Sequence, residues 1–443
     1  MSVLVTGGVR ETLIQMALPM LAGTFAMNAY NLADTWFVSR LGTQPLAAMA
    51  FTFPVIALLT FVAGGIGTGI TTLVSHSLGR RDRDDAARLV THGIALTVTF
   101  TTTVSIAGYL SIEPLFRRLG ADTETLPLIG QFMRIWYLGA LTMSLPMMGN
   151  GILISCGDSR SASRLMIFGA VLNVILNPIL IFGHCGLPPL GIRGSALATV
   201  ISQTVTMSWL LYLLHYKHGL LSLGVGKLRG CLASWRRILV FAIPCILSMA
   251  MMPVSAGVIT WITSRFGREA VAASGAAARL ETFAFVVPMA LGMTLTPFVS
   301  QNFGAARVDR VREAKTLSTA FALVYGSLVA LLFFLAAPWL ASFFSGDPQV
   351  IQVMVTYLRI IPFGYGMMEV HRYCGFMLTG LHTPSSSLAL NMIRILVLLI
   401  PLSWLGARFL GLCGMFAGRL ITDLTVGSLG LTWVSLRLRS ARV

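Results

Sequence analysis

Long apolar runs recur along the whole of this 443-residue sequence, and they constrain its fold more than any other feature. A continuous apolar run of about 18 or more residues is typical of a helix that crosses a membrane. Such runs are centred near residues 25, 60, 101, 141, 173, 204, 250, 286, 328, 366, 395 and 423. Only 11% of the residues are charged, against roughly 25% in a typical soluble domain. The sequence therefore predicts an all-α polytopic membrane protein with twelve transmembrane helices.

The positive charges lie mostly between the apolar runs, and the formal net charge is +16. If both termini lie inside, the inside segments hold more than twice as many Lys and Arg residues as the outside loops. This bias predicts a multi-pass protein of the cell inner (plasma) membrane with cytoplasmic N- and C-termini. Charges placed in this way indicate contact with a lipid bilayer and not with nucleic acid.

The sequence offers no pattern for catalysis or for a resident metal. Its six cysteines are scattered without C-x-x-C spacing, and its seven histidines form no H-E-x-x-H cluster. It contains no Walker A sequence and no pairing of a nucleophile with a base. We therefore expect neither enzyme activity nor a cofactor, and any uphill transport should not require an ATPase subunit.

The two halves of the sequence resemble each other at one constant offset along the chain. The matching pairs include Pro19 and Pro244, Trp36 and Trp261, and Gly79 and Gly304, and the separation is the same for every pair. Because each half holds an even number of spans, both enter the membrane from the same side, as in the parallel repeats of many secondary transporters. We predict an N-lobe over 1–214, a cytoplasmic linker over 215–237 and a C-lobe over 238–443. Structural duplication without a transport site is the alternative.

Four carboxylates fall within the predicted spans, where charge is costly and usually functional. They are Asp34, Glu281, Glu369 and Asp423. An arginine lies at i+3 from Glu369, at i−4 from Asp423 and at i−2 from Glu281. The first two spacings allow an ion pair along one helix, and the third does not. We therefore treat these three acids as secondary candidates.

Asp34 differs because its nearest basic residue is Arg40, almost two helical turns away. Burial without a counter-charge favours the protonated form of a carboxyl group, so this acid could bind H⁺ or Na⁺ or pair with a cationic substrate. The equivalent position of the second half is Ile259, which leaves the acid in one lobe only. Pro19 precedes it on the same span and could act as a hinge. A structural aspartate satisfied by local hydroxyls such as Thr35 is the alternative.

Polar residues on other spans of the first half could share this interior. Asn173 and Asn177 are four positions apart, which places them on one helix face. Thr199 and Asn150 lie on neighbouring spans. Their amides and hydroxyl could ligate Na⁺ or hydrogen-bond a protonated carboxyl, and ordinary helix–helix contact is the alternative for each.

The sequence resembles the multidrug and toxic compound extrusion (MATE) transporters over nearly its full length. The motifs that carry the resemblance are "NLADTWFVSRLG" (31–42), "CGDSRSASRLMIFGAVLNVILNPILIFG" (156–183), "GIRGSALATVISQ" (191–203) and "TPFVSQNFGAARVDR" (296–310). The resemblance implies antiport of a drug-like, often cationic compound against H⁺ or Na⁺. It also implies alternating access by two six-helix lobes around a V-shaped central cleft. The pattern looks closer to the DinF-like branch of the family.

The motifs also imply roles for individual residues. Asp34 matches the acid that couples the ion, and Pro19 matches the bending proline of the same helix. Residues matching the lining of the N-lobe cavity are Tyr30, Asn150, Met166, Asn173 and Thr199. Asn177 stands where many relatives have a second acid, which weakens a Na⁺ site in this lobe. The sodium-coupled branch has a glutamate near 251–254, where this sequence reads "MMPV", and Glu369 lies near the C-lobe acid of that branch.

The leading hypothesis is a secondary active multidrug efflux transporter that exchanges amphipathic or cationic compounds for H⁺, with protonation of Asp34 as the coupling event. The predicted ion-coupling residues are Asp34, Asn173, Asn177 and Thr199. The predicted substrate contacts are Tyr30, Asn150, Met166 and Asn173. Alternatives are a Na⁺-coupled exporter of the same family, a flippase for a lipid-linked precursor, and a passive channel. We expect a monomer.

Overall fold

The computed structural model describes residues 3–221 and 230–440, and this part of the chain is helical nearly throughout, with no strand. The α-helices are α1 (Val9–Ser39), α2 (Thr43–Gly79), α3 (Arg83–Leu110), α4 (Ile112–Arg118), α5 (Thr125–Ser155), α6 (Ser159–Phe182), α7 (Ile192–Tyr212), α8 (Cys231–Ser264), α9 (Arg268–Ala284), α10 (Val286–Gly304), α11 (Val308–Phe344), α12 (Pro348–Ile360), α13 (Tyr365–Gly380), α14 (Pro384–Met392) and α15 (Ile400–Ser440). Short 3₁₀ segments are Val3–Val5 and Ile361–Gly364, and short π-helical segments are Leu213–Lys217 and Ile393–Leu399.

The predicted all-α polytopic fold is confirmed. Nine helical stretches among the described residues are long and apolar enough to cross a membrane, and α9 with α10, bent by 54°, would make a tenth. The last of the nine, Pro384–Ser440, is interrupted at Gly411, whose positive φ of 62° breaks the helix. Helix α1 is 31 residues long but carries Asp34 and other polar groups. Each of the twelve predicted span centres lies in a helix.

The described chain forms two compact units. One contains Gln15–Ile246, and the other contains Leu4–Ile14 and the chain from Leu247 onward. The predicted boundaries of the lobes and linker stay a prediction, and residues 222–229 of that linker lie outside the described residues.

In the first unit, α5 packs against α2, α3 and α7, and α6 packs along α7. Small residues permit these close approaches: a Cβ atom on Gly149 of α5 would collide with Leu210 of α7. In the second unit, α13 packs against α10, α11 and α15. Gly326 and Gly366 bring the backbones of α11 and α13 together in the same way. Such packing drives helix association in a bilayer, where apolar burial alone provides little.

The internal repeat is visible in one hydrogen-bonded pair in each unit. Ser77 Oγ donates to Asp85 Oδ2 at 2.7 Å in the first unit. At the equivalent positions of the second unit, Arg310 Nε donates to Asn302 Oδ1 at 2.8 Å. Arg310 also donates to carbonyl groups of residues 4–7, which belong to its own unit. The repeat therefore preserves a contact between two helices while the residue types differ.

Candidate ion-binding site

Three helices of the first unit each contribute two polar side chains that are one helical turn apart. The pairs are Tyr30 and Asp34 on α1, Asn173 and Asn177 on α6, and Ser195 and Thr199 on α7. Four-residue spacing places both members of a pair on the same helix face. The structure therefore brings together five residues predicted from the sequence and adds Ser195.

Asp34 is the charged member of this group, and its side chain is buried, with 7% of the residue exposed. Its Oδ1 atom accepts hydrogen bonds from Asn177 Nδ2 at 3.0 Å and from Ser195 Oγ at 2.9 Å. Thr35 is exposed and donates instead to the carbonyl of Asn31. The alternative that Thr35 satisfies the acid is therefore wrong, because the hydroxyl partner comes from another helix.

The hydrogen bonds continue away from the carboxylate. Asn177 Nδ2 also donates to Asn173 Oδ1 at 2.8 Å, and Asn173 Nδ2 donates to Thr199 Oγ1 at 3.2 Å. Tyr30 interacts with both Asp34 and Thr199. Both asparagines are almost completely buried, so the α6 pair joins the acid to the hydroxyl of α7.

Two oxygen atoms at the centre of the site accept no hydrogen bond from the described residues. Asn177 Oδ1 is fully buried and has no partner. Asp34 Oδ2 receives none of the hydrogen bonds made to that carboxylate, since both go to Oδ1. No cation pairs with Asp34 within the described ranges. The site can therefore take up a proton or another small cation beside oxygen atoms that are already positioned.

The sequence between α6 and α7 explains why these pairs face each other. Gly183 ends α6 in a left-handed conformation with φ of 79°. The amide of Leu190 then donates to the free carbonyl of Leu180 at 3.0 Å, which ties the loop to the end of α6. A Cβ atom on Gly194 would lie 2.5 Å from the same carbonyl oxygen. Only glycine at that position lets the first turn of α7 lie so close to α6.

Pro19, the predicted hinge, is supported by serines of α6. A proline has no N–H, so the carbonyl of Gln15 loses its helical partner. Ser159 Oγ donates to that carbonyl at 3.5 Å, and Ser163 Oγ donates to the carbonyl of Pro19 itself. A Cβ atom on Gly23 would lie 3.2 Å from Ser163 Oγ, so α1 and α6 are in close contact here. The hinge role stays a prediction.

Two predicted substrate contacts lie apart from the hydrogen-bonded group. Met166 is half-buried, and its Sδ atom would be 3.1 Å from a Cβ on Gly23, so it packs where α1 and α6 meet. Asn150 is half-buried on α5, and its buried Oδ1 atom has no hydrogen-bond partner within the described part of the chain. Their contact with a substrate stays a prediction.

Glu281, in the second unit, has partners that the sequence did not indicate. Its Oε1 atom accepts hydrogen bonds from Tyr357, Tyr365 and Arg419, each at 2.8 Å. Arg279, its neighbour in sequence, makes no ion pair among the described residues and is exposed. The counter-charge of Glu281 therefore comes from α15 and not from its own helix.

The other two candidate acids are also ion-paired. Asp423 Oδ1 lies 3.1 Å from Arg394 Nη2, while Arg419 Nε is 4.0 Å from its Oδ2. The expected pairing of Asp423 with Arg419 is thus the weaker of two contacts. Glu369 lies 3.0 Å from Arg372 as expected, although the contact lacks hydrogen-bond geometry. All three candidate acids of the second unit have a cationic partner, unlike Asp34.

Sequence reasoning missed Ser195, Arg394, Tyr357 and Tyr365. Ser195 could have been found, because it precedes Thr199 by one helical turn. The other three carried no local signal, since their partners lie on other helices. Within residues 3–221 and 230–440 no group of three or more His, Cys, Asp or Glu side chains could hold a metal ion.

Apolar helices that match twelve predicted spans, an internal repeat and a buried carboxylate between three helices together define a polytopic helical transporter. Comparison with known proteins places it more narrowly. The chain belongs to the MatE family, whose model matches it twice, at residues 19–179 and 244–405. The two matches begin at Pro19 and Pro244, which are one of the pairs related by the internal repeat. Family members are transporters and not enzymes.

Three similar proteins illustrate the relationship. The FAD transporter of Shewanella oneidensis is 38% identical over 425 residues, which are 96% of this chain and 94% of that protein. A probable multidrug resistance protein, NorM, of Halalkalibacterium halodurans is 22% identical over 94% of this chain and 92% of its own. The crystal structure of the Vibrio cholerae MATE transporter VcmN in the bent form superposes with a TM-score of 0.92 at 27% identity. That match covers 98% of each chain.

Proposed function

We propose that the chain is a secondary active exporter driven by H⁺, and that protonation of Asp34 is the coupling event. The observation that carries this proposal is the environment of the carboxylate, which is buried with neutral amide and hydroxyl donors and no cation. Burial without a counter-charge favours the protonated form of a carboxyl group, so such an acid can bind and release a proton. The three ion-paired acids of the second unit are poorer candidates because their charges are already balanced.

The proton would bind to Oδ2 of Asp34, because Oδ1 already accepts two hydrogen bonds. The new O–H group needs an acceptor, and Asn177 Oδ1 is a buried oxygen without a donor. A change in that hydrogen bonding affects α1, α6 and α7 together, since each contributes a pair to the site. On α1 the weak point is Pro19, about four helical turns before Asp34, where the helix lacks a backbone hydrogen bond. Proton binding would thus shift the equilibrium between two conformations of α1 that differ at Pro19.

A Na⁺ ion is the alternative driver. It would require several oxygen ligands around the cation, and the site has one carboxylate, with one of its two oxygens occupied by donors. The arrangement therefore favours a proton, which needs one oxygen and one acceptor. Replacement of NaCl by KCl in a transport assay separates the two ions, and a strict requirement for Na⁺ would contradict proton coupling.

The test of coupling uses purified protein in proteoliposomes with an imposed pH gradient. Asp34→Asn should abolish uphill substrate movement and the accompanying proton flux. Thr35→Ala is the matched control, because Thr35 is adjacent and exposed, and its hydroxyl donates to the carbonyl of Asn31 and not to the carboxylate. Normal uphill transport by Asp34→Asn would show that another group couples the proton.

Two substrate classes are candidates. The sequence predicts amphipathic or cationic drug-like compounds, and the NorM relative carries a multidrug name. The more similar relative is named an FAD transporter, and this makes flavin adenine dinucleotide the second candidate. Parallel assays with a fluorescent organic cation and with FAD, in the same vesicles and under the same gradient, distinguish the two.

We further propose that the transporter is a monomer of the inner (plasma) membrane with both termini in the cytoplasm. The support for the orientation of the termini is the excess of Lys and Arg in the segments assigned to the inside. Orientation is tested by fusing a reporter that is active only in the cytoplasm at residue 443 and within 222–229. Both fusions should be active.

A further inference from the structure

Helix α9 of the second unit has an exposed face with an unusual composition for a membrane helix. The exposed residues of this helix are Arg268, Ala272, Gly275, Ala278, Arg279, Thr282 and Phe283. By contrast, α11 exposes large aliphatic side chains such as Val324, Leu328 and Leu335, at 62%, 61% and 70%. The α11 surface suits lipid tails, whereas the α9 face combines small, polar and charged side chains.

Arg279 is the residue that decides what this face can contact. It lies well inside α9, about 16 Å from Arg268 at the start of the helix, with a rise of 1.5 Å per residue. Three other arginines of the unit, Arg372, Arg394 and Arg419, are each paired with an acid. Arg279 has no such pair among the described residues. A guanidinium without a counter-charge facing hydrocarbon would cost several kcal/mol, so this face borders water and is available to an anion.

Two features beside Arg279 extend the site. Phe283 is 53% exposed and follows it by one helical turn, which places a ring next to the guanidinium. Gly275 precedes it by one turn, and a Cβ atom built there would meet no atom within 4 Å. The face thus presents a cation, an aromatic ring and open space in a row along one helix.

We propose that Arg279 and Phe283 bind a substrate that joins a phosphate group to a planar ring system, as flavin adenine dinucleotide does. A guanidinium donates two parallel hydrogen bonds to phosphate oxygens, and an exposed aromatic side chain stacks on a heteroaromatic ring. This inference rests on the proposed export function and specifies its substrate class. The name of the Shewanella oneidensis relative agrees with this chemistry.

Binding is tested apart from transport, by titrating detergent-solubilised protein with FAD and following flavin fluorescence. Arg279→Gln should weaken FAD binding at least tenfold and change riboflavin binding, which involves no phosphate, less than twofold. Phe283→Leu should weaken both ligands, and Gly275→Leu should weaken FAD by filling the open space. Arg268→Gln is the matched control at the exposed start of the same helix, where the side chain is 94% exposed, and it should bind FAD normally.

Wild-type affinity of Arg279→Gln for FAD would overturn the proposal, as would an equal loss of FAD and riboflavin binding. No FAD binding by the wild-type protein would also overturn it, while leaving proton-coupled export of cations intact. Failure of the export proposal looks different: Asp34→Asn would transport normally, whereas FAD binding would still depend on Arg279.

A lipid phosphate is the other source of the same anionic chemistry. Repeating the titration in vesicles of phosphatidylcholine alone and in vesicles with added phosphatidylglycerol separates the two. If FAD binding depends on Arg279 in both lipid mixtures, the soluble substrate is supported. A dependence seen only with phosphatidylglycerol would assign the arginine to a lipid headgroup and overturn the proposal.

Discussion

Arg419 donates hydrogen bonds to both carboxylate oxygens of Glu281, at 2.8 and 3.1 Å, across 138 positions of the chain. Asp423, one turn away on its own helix, is the more distant partner at 4.0 Å. Tyr357 bridges the pair, since it accepts from Arg419 at 2.7 Å and donates to Glu281 at 2.8 Å. This contact joins α9, α12 and α15 within the second unit.

Removal of Arg419 should destabilise the protein strongly. Arg419→Ala leaves a half-buried carboxylate without its counter-charge, which costs about 3–5 kcal/mol. We expect a lower Tm in thermal unfolding of the solubilised protein. The double variant Arg419→Ala with Glu281→Gln should recover part of the loss, because the uncompensated charge is gone. A double variant no more stable than the single one would contradict a stabilising pair.

Ser195→Ala tests the hydroxyl that the sequence did not single out. It removes one of two donors to Asp34 Oδ1, and a hydrogen bond to a charged group contributes about 1.5–3 kcal/mol. Loss of that donor disfavours the ionised form, so the pH profile of transport should move upward by about one to two pH units. Ser202→Ala is the control, because Ser202 is buried on the same helix but bonds only to the carbonyl of Thr199. An unchanged profile would exclude Ser195 from the coupling site.

Ser163→Ala tests the support of α1 at Pro19. The hydroxyl donates to the carbonyl of Pro19, and its loss should cost about 0.5–1.5 kcal/mol. We expect faster amide hydrogen exchange in peptides that cover residues 15–23. Ser208→Ala should leave this exchange unchanged, because Ser208 is an exposed serine whose hydroxyl bonds within α7. Equal exchange in the wild-type protein and in both variants would mean that α6 does not stabilise α1 at Pro19.

Asp158 gives a pH-dependent contribution to stability. Burial raises its pKa, but hydrogen bonds from His218, Lys217 and Ser161 outweigh burial and hold the pKa well below the ordinary value. Because the folded pKa is depressed, the stabilisation is present above about pH 4, the ordinary Asp value, and is lost as the pH falls through the folded pKa.

Two substitutions separate the charge of Asp158 from its role as the N-cap of α6. Asp158→Asn keeps a good capping group for the amide of Ser161 and loses the ion pair with Lys217. Because Lys217 is half-exposed, the loss of the ion pair should cost at most about 1 kcal/mol at pH 7. Asp158→Ala should cost about 1 kcal/mol more. Chemical denaturation at pH 7 and below pH 4 measures both effects. The deficit of the Asn variant should shrink at the lower pH, and a constant deficit would contradict the ionic contribution.

Local patterns in the sequence anticipated several features correctly. The apolar runs indicated the helices, and the constant offset between the two halves reappears in the starting points of the two family matches. The i, i+4 spacing of Asn173 and Asn177 placed both on the face that meets Asp34. The Glu369–Arg372 contact also lies within one helix. Each of these features depends on residues within a few turns of one another or on a repeat that can be read by alignment.

The partners of the buried charges were decided by tertiary structure. Ser195 meets Asp34 because Gly183 and Gly194 bring α7 against α6. Arg419 meets Glu281 because α12 packs against both α9 and α15. Helical periodicity assigns a side chain to a face of its own helix but contains no information about which helix lies opposite or at what height. That relation arises from the packing of small residues between helices. The sequence alone therefore identified Asp34 as the acid without a nearby cation, and only the tertiary structure decided which amide and hydroxyl lie beside it.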